Sequence, residues 1–263
     1  MTSIESTNRE RRLVLDTTIM DMEAADPFHL REILWSDGED FFYLQLPTRR
    51  PRDEDDEARS ALSRDAKLVS RSLYQTVPPP GLLRAREPLP EDNYIKVGMI
   101  FYFHPEDPEK SAIWQYMVQE ARVCETLVKY PHQNVAQYYG YVEKDELMVG
   151  LCFKRYGQTL SDAVRISLIR RENIEHSLDQ IKRGIEHIHG LGLVHNDINP
   201  RNILLDADGK LVIDFDSCRK QCESMLDGKC GTFPFSNDSE TAEFQNDFYG
   251  LEKIREWMEE NIP

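Results

Sequence analysis

The sequence predicts an α+β fold in which a small β-rich N-terminal part is followed by a mainly helical C-terminal part. Apolar runs of strand length lie at residues 30–35, 41–46 and 94–103. Apolar residues with helical spacing lie over residues 111–128, 178–188 and 244–257. The chain has 263 residues, which are enough for one large domain or for two lobes that share a core.

Composition and charge favour a folded protein that does not bind nucleic acid. Hydrophobic residues make up 40% of the chain, which is sufficient for a globular core. The 32 basic and 47 acidic residues give a net charge of −15, which would repel a phosphate backbone. The densest basic stretches, residues 9–12 and 49–52, are short and have acidic neighbours. We therefore expect no nucleic-acid partner.

The sequence carries no signal for export and none for a membrane partner. The first residues contain no apolar core of a signal peptide, and no run approaches the roughly 18 apolar residues of a membrane span. We therefore expect an intracellular protein, cytoplasmic or nuclear, in which the five cysteines stay reduced. Cys218, Cys222 and Cys230 have no histidine near enough to complete a zinc pattern, so free thiols are expected there.

Residues 1–92 are predicted to form an N-terminal arm. Residues 1–26 are polar, which is typical of a loose helix or an unstructured segment. Residues 30–46 are expected to form a hairpin, because Asp37-Gly38 separates two apolar runs. Residues 47–92 are rich in proline and charge and predict a long mobile insertion, with one candidate helix at residues 61–74.

The rest of the chain mixes strands and helices. Strands are predicted at residues 94–103, 138–143, 146–151, 203–205 and 211–213. Helices are predicted over residues 111–128, over a segment that ends at Gly190-Leu191-Gly192, and over residues 244–257. On the second of these helices Leu178, Ile181, Ile185 and Ile188 share one face.

The segment from His195 to Asp214 carries the side chains expected to do chemistry. His195-x-Asp197 is followed by Asn202, five residues after Asp197, and then by a hairpin that ends at Asp214-Phe215. This pattern resembles the H-R-D-x-x-x-x-N and D-F-G motifs of protein kinases. By that resemblance Asp197 orients the acceptor hydroxyl group, and Asn202 and Asp214 bind the nucleotide through Mg²⁺, which favours such oxygen ligands together with phosphate.

Upstream residues support the same resemblance. Tyr94-Ile95-Lys96-Val97 resembles the kinase strand whose lysine contacts the α and β phosphates of ATP. Glu120, 24 residues after Lys96, lies where the resemblance places the glutamate that holds this lysine in position. Glu125 lies on the same predicted helix and is the alternative partner.

Downstream residues extend the resemblance to residues 93–260. Gly231-Thr232 resembles the end of a kinase activation segment, and Asn246-Asp247 resembles the start of the helix whose aspartate braces the catalytic loop. The residues at these motif positions are similar to those of a group of kinase-like proteins abundant in fungi. It implies a protein-kinase-like two-lobe fold, with a small N-lobe core at residues 93–156 and a shortened C-lobe at residues 157–263. It also implies ATP and Mg²⁺ as ligands, and structural support from His195 and Asp247.

Four positions depart from the kinase pattern. No glycine-rich G-x-G-x-x-G precedes Lys96. Asn196 replaces the arginine that pairs with a phosphorylated activation loop, so that form of control is not expected. Asn199 replaces a lysine, and Arg201 is the candidate for the cation that offsets charge on the γ-phosphate in the transition state. Asp216 replaces the glycine of D-F-G, which is expected to stiffen the backbone there.

These departures leave several functions open. The first is an active kinase whose acceptor is a hydroxyl group of protein serine or threonine. The second is an inactive kinase-like protein that binds nucleotide or partners, because the glycine-rich loop is absent and Asp216 is unusual. The third is a small-molecule kinase, since the helices that form a peptide-docking surface are not expected after residue 260. A protein that interacts with partners without any nucleotide is the remaining class.

Overall fold

The computed structural model describes residues 12–20, 29–38, 40–48, 65–97, 113–214, 218–225, 231–237 and 239–263. The chain divides into two compact units, which are taken in turn. The first unit contains Met1–Tyr74 and Met99–Ile113, and the second contains Gln75–Gly98 and Trp114–Pro263. Phe215, Asp216 and Cys230, which the sequence singled out, lie outside the described residues.

The first unit contains a four-stranded antiparallel sheet in chain order. Its strands are β1 (Arg12–Met20), β2 (His29–Ser36), β3 (Phe41–Thr48) and β4 (Lys67–Leu68). Strands β2 and β3 lie at the predicted hairpin, and Gly38 has a φ of 91° in the turn between them. Strand β1 differs from the predicted loose helix, because every one of its residues from Leu15 to Met20 pairs in register with β2.

A small core holds this first unit together. Apolar side chains of β2 and β3 pack with residues from the segment predicted as an insertion; the buried members are Leu34, Phe41, Tyr43, Val69, Tyr74 and Ile113. A 3₁₀ turn at Arg71–Leu73 replaces the candidate helix at residues 61–74 in the part that is described. Arg71 binds Asp40 at 2.5 Å, and this guanidinium lowers the pKa of the Asp40 carboxyl group. The sequence therefore misjudged residues 65–74, which are packed.

The second unit begins with a three-stranded antiparallel sheet and a helix. The sheet order is β5 (Asn93–Lys96), β7 (Leu147–Lys154) and β6 (Tyr138–Lys144). Helix α1 (Ile113–Lys129) matches the predicted helix to within two residues at its start. Strand β5 corresponds to the first part of the strand predicted at residues 94–103, and residues 98–112 lie outside the described chain.

Residues 75–92 line this sheet and do not form the predicted mobile insertion. Thr76 pairs with Met148 of β7, and Arg84 pairs with Tyr141 of β6. The Ala85 N–H donates to the Tyr141 carbonyl at 2.9 Å. The proline-rich composition indicated a loop, but it could not indicate that the backbone of this loop pairs with strands β6 and β7.

Gly140 permits this covering segment to approach. Its φ of 130° is one that residues with a side chain rarely adopt, and a Cβ atom there would lie 2.4 Å from Ala85 N. We expect Gly140→Ala to lower the free energy of unfolding by about 2 kcal/mol or more, measured by urea denaturation. Gly190→Ala is the matched control, because a Cβ at Gly190 meets nothing within 4 Å. Equal stability of the two variants would contradict the close approach.

The helical part of the second unit follows. Its elements in chain order are β8 (Gln158–Thr159), α2 (Leu160–Arg165), α3 (Ile174–Gly190), β9 (Leu193–Val194), β10 (Ile203–Leu205), β11 (Leu211–Ile213), β12 (Arg219–Lys220) and α4 (Phe244–Asn261). Strands β10 and β11 have the predicted bounds. Strand β10 pairs with both β11 and β8, and β9 pairs with β12.

Helix α3 lies at the centre of the main core. Its four predicted apolar residues, Leu178, Ile181, Ile185 and Ile188, are all buried. They pack with residues of β11, α1 and α4 in one continuous cluster. The prediction of an α+β fold with a small sheet-rich part and a helical part is therefore confirmed. None of the helices in the described part of the chain combines the length and the apolar character that a membrane crossing requires.

Candidate active site

The loop between β9 and β10 holds the carboxylate of Asp197 in one position. Asp197 Oδ1 accepts hydrogen bonds from Asn199 Nδ2 and from the Thr232 N–H, both at 2.9 Å. Asp197 Oδ2 accepts a hydrogen bond from Asn202 Nδ2 at 2.9 Å. Protein donors thus fix both oxygens of Asp197. The carboxylate predicted to orient the substrate hydroxyl group is therefore itself oriented before any substrate binds.

Asn199 and Thr232 are members of this site that the sequence did not assign to it. Asn199 was noted as the loss of a lysine, but its Nδ2 bonds to Asp197 and lies 3.3 Å from Thr232 Oγ1. Its Oδ1 accepts a hydrogen bond from the Arg201 N–H at 2.9 Å. An amide can bridge in both directions, which a lysine cannot. The ability of an amide both to donate and to accept was the only indication in the sequence that Asn199 belongs to the site. Its contact with Thr232 could not be foreseen, because the two residues are 33 positions apart.

Asp214 is placed next to Asn202 by the β10–β11 hairpin. The Asp214 N–H donates to the Asn202 carbonyl at 2.9 Å, so the two predicted metal ligands are adjacent. Because Asn202 Nδ2 faces Asp197, its Oδ1 is the atom left to hold a cation. In the described ranges no three His, Cys, Asp or Glu side chains converge as a metal site. One amide and one carboxylate fit Mg²⁺, which completes its shell with phosphate oxygens and water.

His195 links the backbone of Asp197 to the backbone of Asp214. Its Nδ1 accepts a hydrogen bond from the Asp197 N–H at 3.2 Å. Its Nε2 therefore carries the ring hydrogen, and that nitrogen contacts the Asp214 carbonyl. The fully buried ring thus connects the Asp197 loop to the end of β11, which fits the support role implied for His195.

Asp247, on the first turn of α4, holds the backbone of the loop between β9 and β10. Its carboxylate accepts hydrogen bonds from the His195 N–H at 2.8 Å and from the Asn196 N–H at 2.7 Å. His189 Nε2 lies 2.7 Å from the same carboxylate. Asp247 is fully buried, so these contacts replace all of its hydration.

Asn196 faces α4 and is part of this bracing. Its φ is 65°, a conformation that asparagine tolerates better than most residues. Its Oδ1 accepts a hydrogen bond from Asn246 Nδ2 at 3.1 Å, and its Nδ2 donates to the Val194 carbonyl at 3.1 Å. The buried amide is committed to these partners, in a position where the kinase pattern has an arginine.

Lys96 and Glu120 form the predicted pair. Lys96 Nζ lies 2.8 Å from Glu120 Oε1, and their side chains are only 12% and 8% exposed. Glu125, the alternative partner, instead accepts a hydrogen bond from the Leu83 N–H at 2.7 Å. The pair joins β5 to α1, and burial strengthens the attraction between the two charges.

A cavity of about 390 Å³ lies beside these residues. It reaches from Lys96 to Asp214 and passes along the segment that connects β7 to α2. Its further lining residues include Tyr94, Ala136, Phe153, Gln158 and Leu204. Its size is within the range of small-molecule sites, and a lysine and a carboxylate are among its lining residues.

Arg201 lies at the rim of the Asp197 loop with an exposed side chain. Its backbone bonds to Asn199, and among the described residues no ion pair engages its guanidinium group. The structure therefore brings together four of the predicted residues: His195, Asp197, Asn202 and Asp214. It also pairs Lys96 with Glu120. The Arg201 side chain is exposed to solvent, four residues after Asp197 in the sequence.

This combination of fold and geometry is typical of the protein kinase class. The chain belongs to the protein kinase domain family, which matches residues 103–254, more than half of its length. The match spans α1, the Asp197 loop, the β10–β11 hairpin and the start of α4. The resemblance drawn from the motifs is confirmed at the level of the family.

Serine/threonine kinases from fungi are among the relatives. "Serine/threonine-protein kinase/endoribonuclease IRE1" of Hypocrea jecorina is 34% identical over 101 residues, which are 34% of this chain and 8% of that protein. "Serine/threonine-protein kinase CHK1" of Mycosarcoma maydis is 39% identical over 85 residues, 30% of this chain and 13% of that one. "Serine/threonine-protein kinase PKH3" of Saccharomyces cerevisiae is 28% identical over 143 residues, 54% and 15% respectively. The chain spans less than a sixth of the length of each of these relatives.

Proposed function

We propose that this protein is an ATP- and Mg²⁺-dependent kinase that transfers the γ-phosphate of ATP to the hydroxyl group of protein serine or threonine. The observation that carries the proposal is the hydrogen-bonded set of Asp197, Asn202 and Asp214. Asp214 also lines a cavity together with Lys96, which pairs with Glu120. The positions expected for the proton acceptor and for the metal ligands are all occupied by residues of the required type. The serine/threonine kinases among the relatives favour a protein acceptor.

The mechanism assigns one role to each side chain. Glu120 holds Lys96 so that its ammonium group contacts the α and β phosphates. Asn202 and Asp214 would hold Mg²⁺, which would neutralise charge on the β and γ phosphates. Asp197 accepts the proton of the attacking hydroxyl group as the new O–P bond forms and the bond to the β-phosphate oxygen breaks. His195 and Asp247 keep the loop in place.

We also propose the wider setting of the chain. Residues 93–156 form the core of the small lobe, to which residues 75–92 bond, and residues 157–263 form the large lobe. The HND and DFD motif variants support membership of the fungal group of kinase-like proteins. The net charge of −15 argues against a nucleic-acid partner, and an intracellular location, cytoplasmic or nuclear, without a membrane partner, is part of the same proposal.

Transfer of radiolabelled phosphate tests this function. The full chain is incubated with γ-labelled Mg·ATP and, separately, with serine/threonine peptides, tyrosine peptides and small alcohols. We expect labelling of serine or threonine peptides that disappears in Asp214→Ala. Labelling of small alcohols alone would establish a small-molecule kinase instead. Nucleotide binding without any transfer would establish an inactive kinase-like protein, and absence of binding would contradict all three.

Arg201 is proposed as the cation near the transferred phosphoryl group. We expect Arg201→Ala to lower kcat about 10- to 100-fold, because a cation beside the transferred phosphoryl group offsets charge that develops in the transition state. The Michaelis constant for ATP should change little. Arg170→Ala is the matched control, since the Arg170 side chain is 79% exposed and distant in sequence. If both variants lower kcat equally, Arg201 has no such role.

A further inference from the structure

Two histidine rings stack on each other away from the candidate active site. The ring centroids of His132 and His187 lie 4.6 Å apart, and the ring planes are inclined by only 14°. His132 belongs to residues 130–136, the loop between α1 and β6 that we call the histidine loop, and His187 lies in the last turn of α3. His187 Nε2 lies 2.7 Å from the Tyr130 carbonyl, so this nitrogen carries a hydrogen and donates it. The pair therefore joins the histidine loop to α3.

The hydrogen bond of His132 within the loop requires a neutral ring. The Asn134 N–H donates to His132 Nδ1 at 3.2 Å, and a ring nitrogen accepts a hydrogen bond only while it carries no hydrogen. Burial, together with the neighbouring His187 and Arg183, lowers the pKa of His132. A proton on Nδ1 would end the bond from Asn134 and place a positive charge beside the His187 ring.

The other charged groups around His132 do not offset such a charge. Arg183 on α3 pairs with Asp179 at 2.6 Å. A cavity of about 560 Å³ adjoins His132, and its other titratable lining residues are Tyr138, Lys154, Tyr156, Asp206 and Lys210. Burial raises the pKa of both phenols, which are therefore neutral, and Lys154 pairs with Asp206 at 3.0 Å. The two carboxylates are thus paired with cations, and Lys210 adds a further positive charge.

The histidine loop is also bonded to β11, which directly precedes Asp214. The Ile213 N–H donates to the Asn134 carbonyl at 3.1 Å, and the Ala136 N–H donates to the Ile213 carbonyl at 3.0 Å. Asn134 Nδ2 donates to the Leu211 carbonyl at 2.7 Å. Asn134 is only 2% exposed, yet its Oδ1 accepts no hydrogen bond from the part of the chain that the structure describes. Loss of the bond to His132 would leave a second buried polar group of Asn134 unpaired, which is unfavourable.

We propose that the histidine loop is a pH-sensitive switch that holds α3 to β11 only while His132 is neutral. Protonation of His132 breaks the bond from the Asn134 N–H, repels His187 and loosens both the loop and the adjoining residues of β11.

The direction of the pH dependence follows from the lowered pKa of His132. The opened loop binds the proton more tightly than the closed one, so acid favours opening. The stabilisation is complete above the ordinary histidine value of about 6.5 and is lost as the pH falls below it. This inference involves no nucleotide, so it stands or falls independently of the proposed function.

Hydrogen–deuterium exchange of the full chain at about pH 7.5 and about pH 5.5 tests the switch across the range in which histidine titrates. The exchange rate of peptides that cover residues 130–136 and 211–213 is divided by the rate of the unfolded chain at the same pH, which gives an opening constant. Between the two pH values this constant should rise about 3- to 10-fold in the unchanged protein.

His132→Asn should lose this rise, because asparagine Oδ1 can still accept from the Asn134 N–H but gains no proton. His176→Asn is the matched control, since His176 is exposed on α3 and lies outside the stacked pair, and it should rise as the unchanged protein does. An equal rise in His132→Asn and the unchanged protein, or no rise in either, overturns the inference.

His187→Gln keeps the test decisive if His132→Asn does not fold. Its Nε2 can still donate to the Tyr130 carbonyl, while the charge beside His132 is removed. The rise should then be smaller than in the unchanged protein, and an equal rise overturns the inference.

Discussion

Asp197→Asn is expected to lower kcat by about 10²- to 10⁴-fold while leaving Mg·ATP bound with a similar Kd. The amide cannot accept the proton of the attacking hydroxyl group. It also offers one acceptor oxygen where the carboxylate offers two, so it cannot accept from Asn199, Asn202 and Thr232 in the observed arrangement. Single-turnover transfer from labelled ATP measures the chemical step, and calorimetry measures nucleotide binding.

The control for this change is Asp208→Asn, at an exposed position in the β10–β11 turn. It removes the same charge from the same unit without touching the site, and kcat should be unchanged. Circular dichroism should show that both variants are folded. Retention of more than about a tenth of the activity by Asp197→Asn would show that Asp197 is not the proton acceptor.

Asp247→Ala is expected to lower the free energy of unfolding by about 3–5 kcal/mol, the largest stability effect predicted for this chain. The change leaves the His195 and Asn196 N–H groups buried and without their acceptor. It also removes the partner of His189, whose ring stacks on Phe244 at 4.2 Å. For a unit of this size the midpoint of thermal unfolding should fall by roughly 6–20 °C.

Asp179→Ala gives the comparison for Asp247. Asp179 lies on α3 with its side chain 49% exposed and pairs with Arg183 in the next turn. Surface pairs of this kind contribute about 0–1 kcal/mol, so its midpoint should barely move. A drop in Asp247→Ala no larger than in Asp179→Ala would mean that α4 does not brace the loop.

The main parts of the site could be predicted because they are local in sequence or repeat at a fixed spacing. His195, Asp197 and Asn202 fall within eight residues, and the β10–β11 hairpin fixes where Asp214 returns. The apolar period of α3 identified its buried face in the same way. Such patterns express a local geometry, so the sequence is enough to recognise them.

Other parts depend on contacts between distant segments, which no local pattern reveals. The Thr232 N–H reaches Asp197 across 35 residues, and Asn246 reaches Asn196 across 50. Strand β1 was missed because its polar residues hid a pairing with β2. Residues 75–92 were interpreted as an insertion because proline and charge dominate their composition, although their backbone bonds to strands β6 and β7.

Tyr94 illustrates the same limit at the cavity. The sequence placed it beside Lys96 on a strand, but only the fold brings Leu204 and Gln158 to the same cavity. Commitment of the Arg155 and Gly157 backbone to other carbonyls is likewise a tertiary property.

The central claim is that Asp214 and its neighbours form a working nucleotide site, and the thermal unfolding midpoint with and without Mg·ATP tests it most directly. At a hundredfold excess over Kd the ligand stabilises the folded protein by about 2.7 kcal/mol. For a domain of this size, that corresponds to a rise of roughly 5–10 °C. We predict a magnesium-dependent rise in the unchanged protein and its loss in Asp214→Ala. No rise at millimolar nucleotide, or an equal rise in both proteins, would contradict the claim.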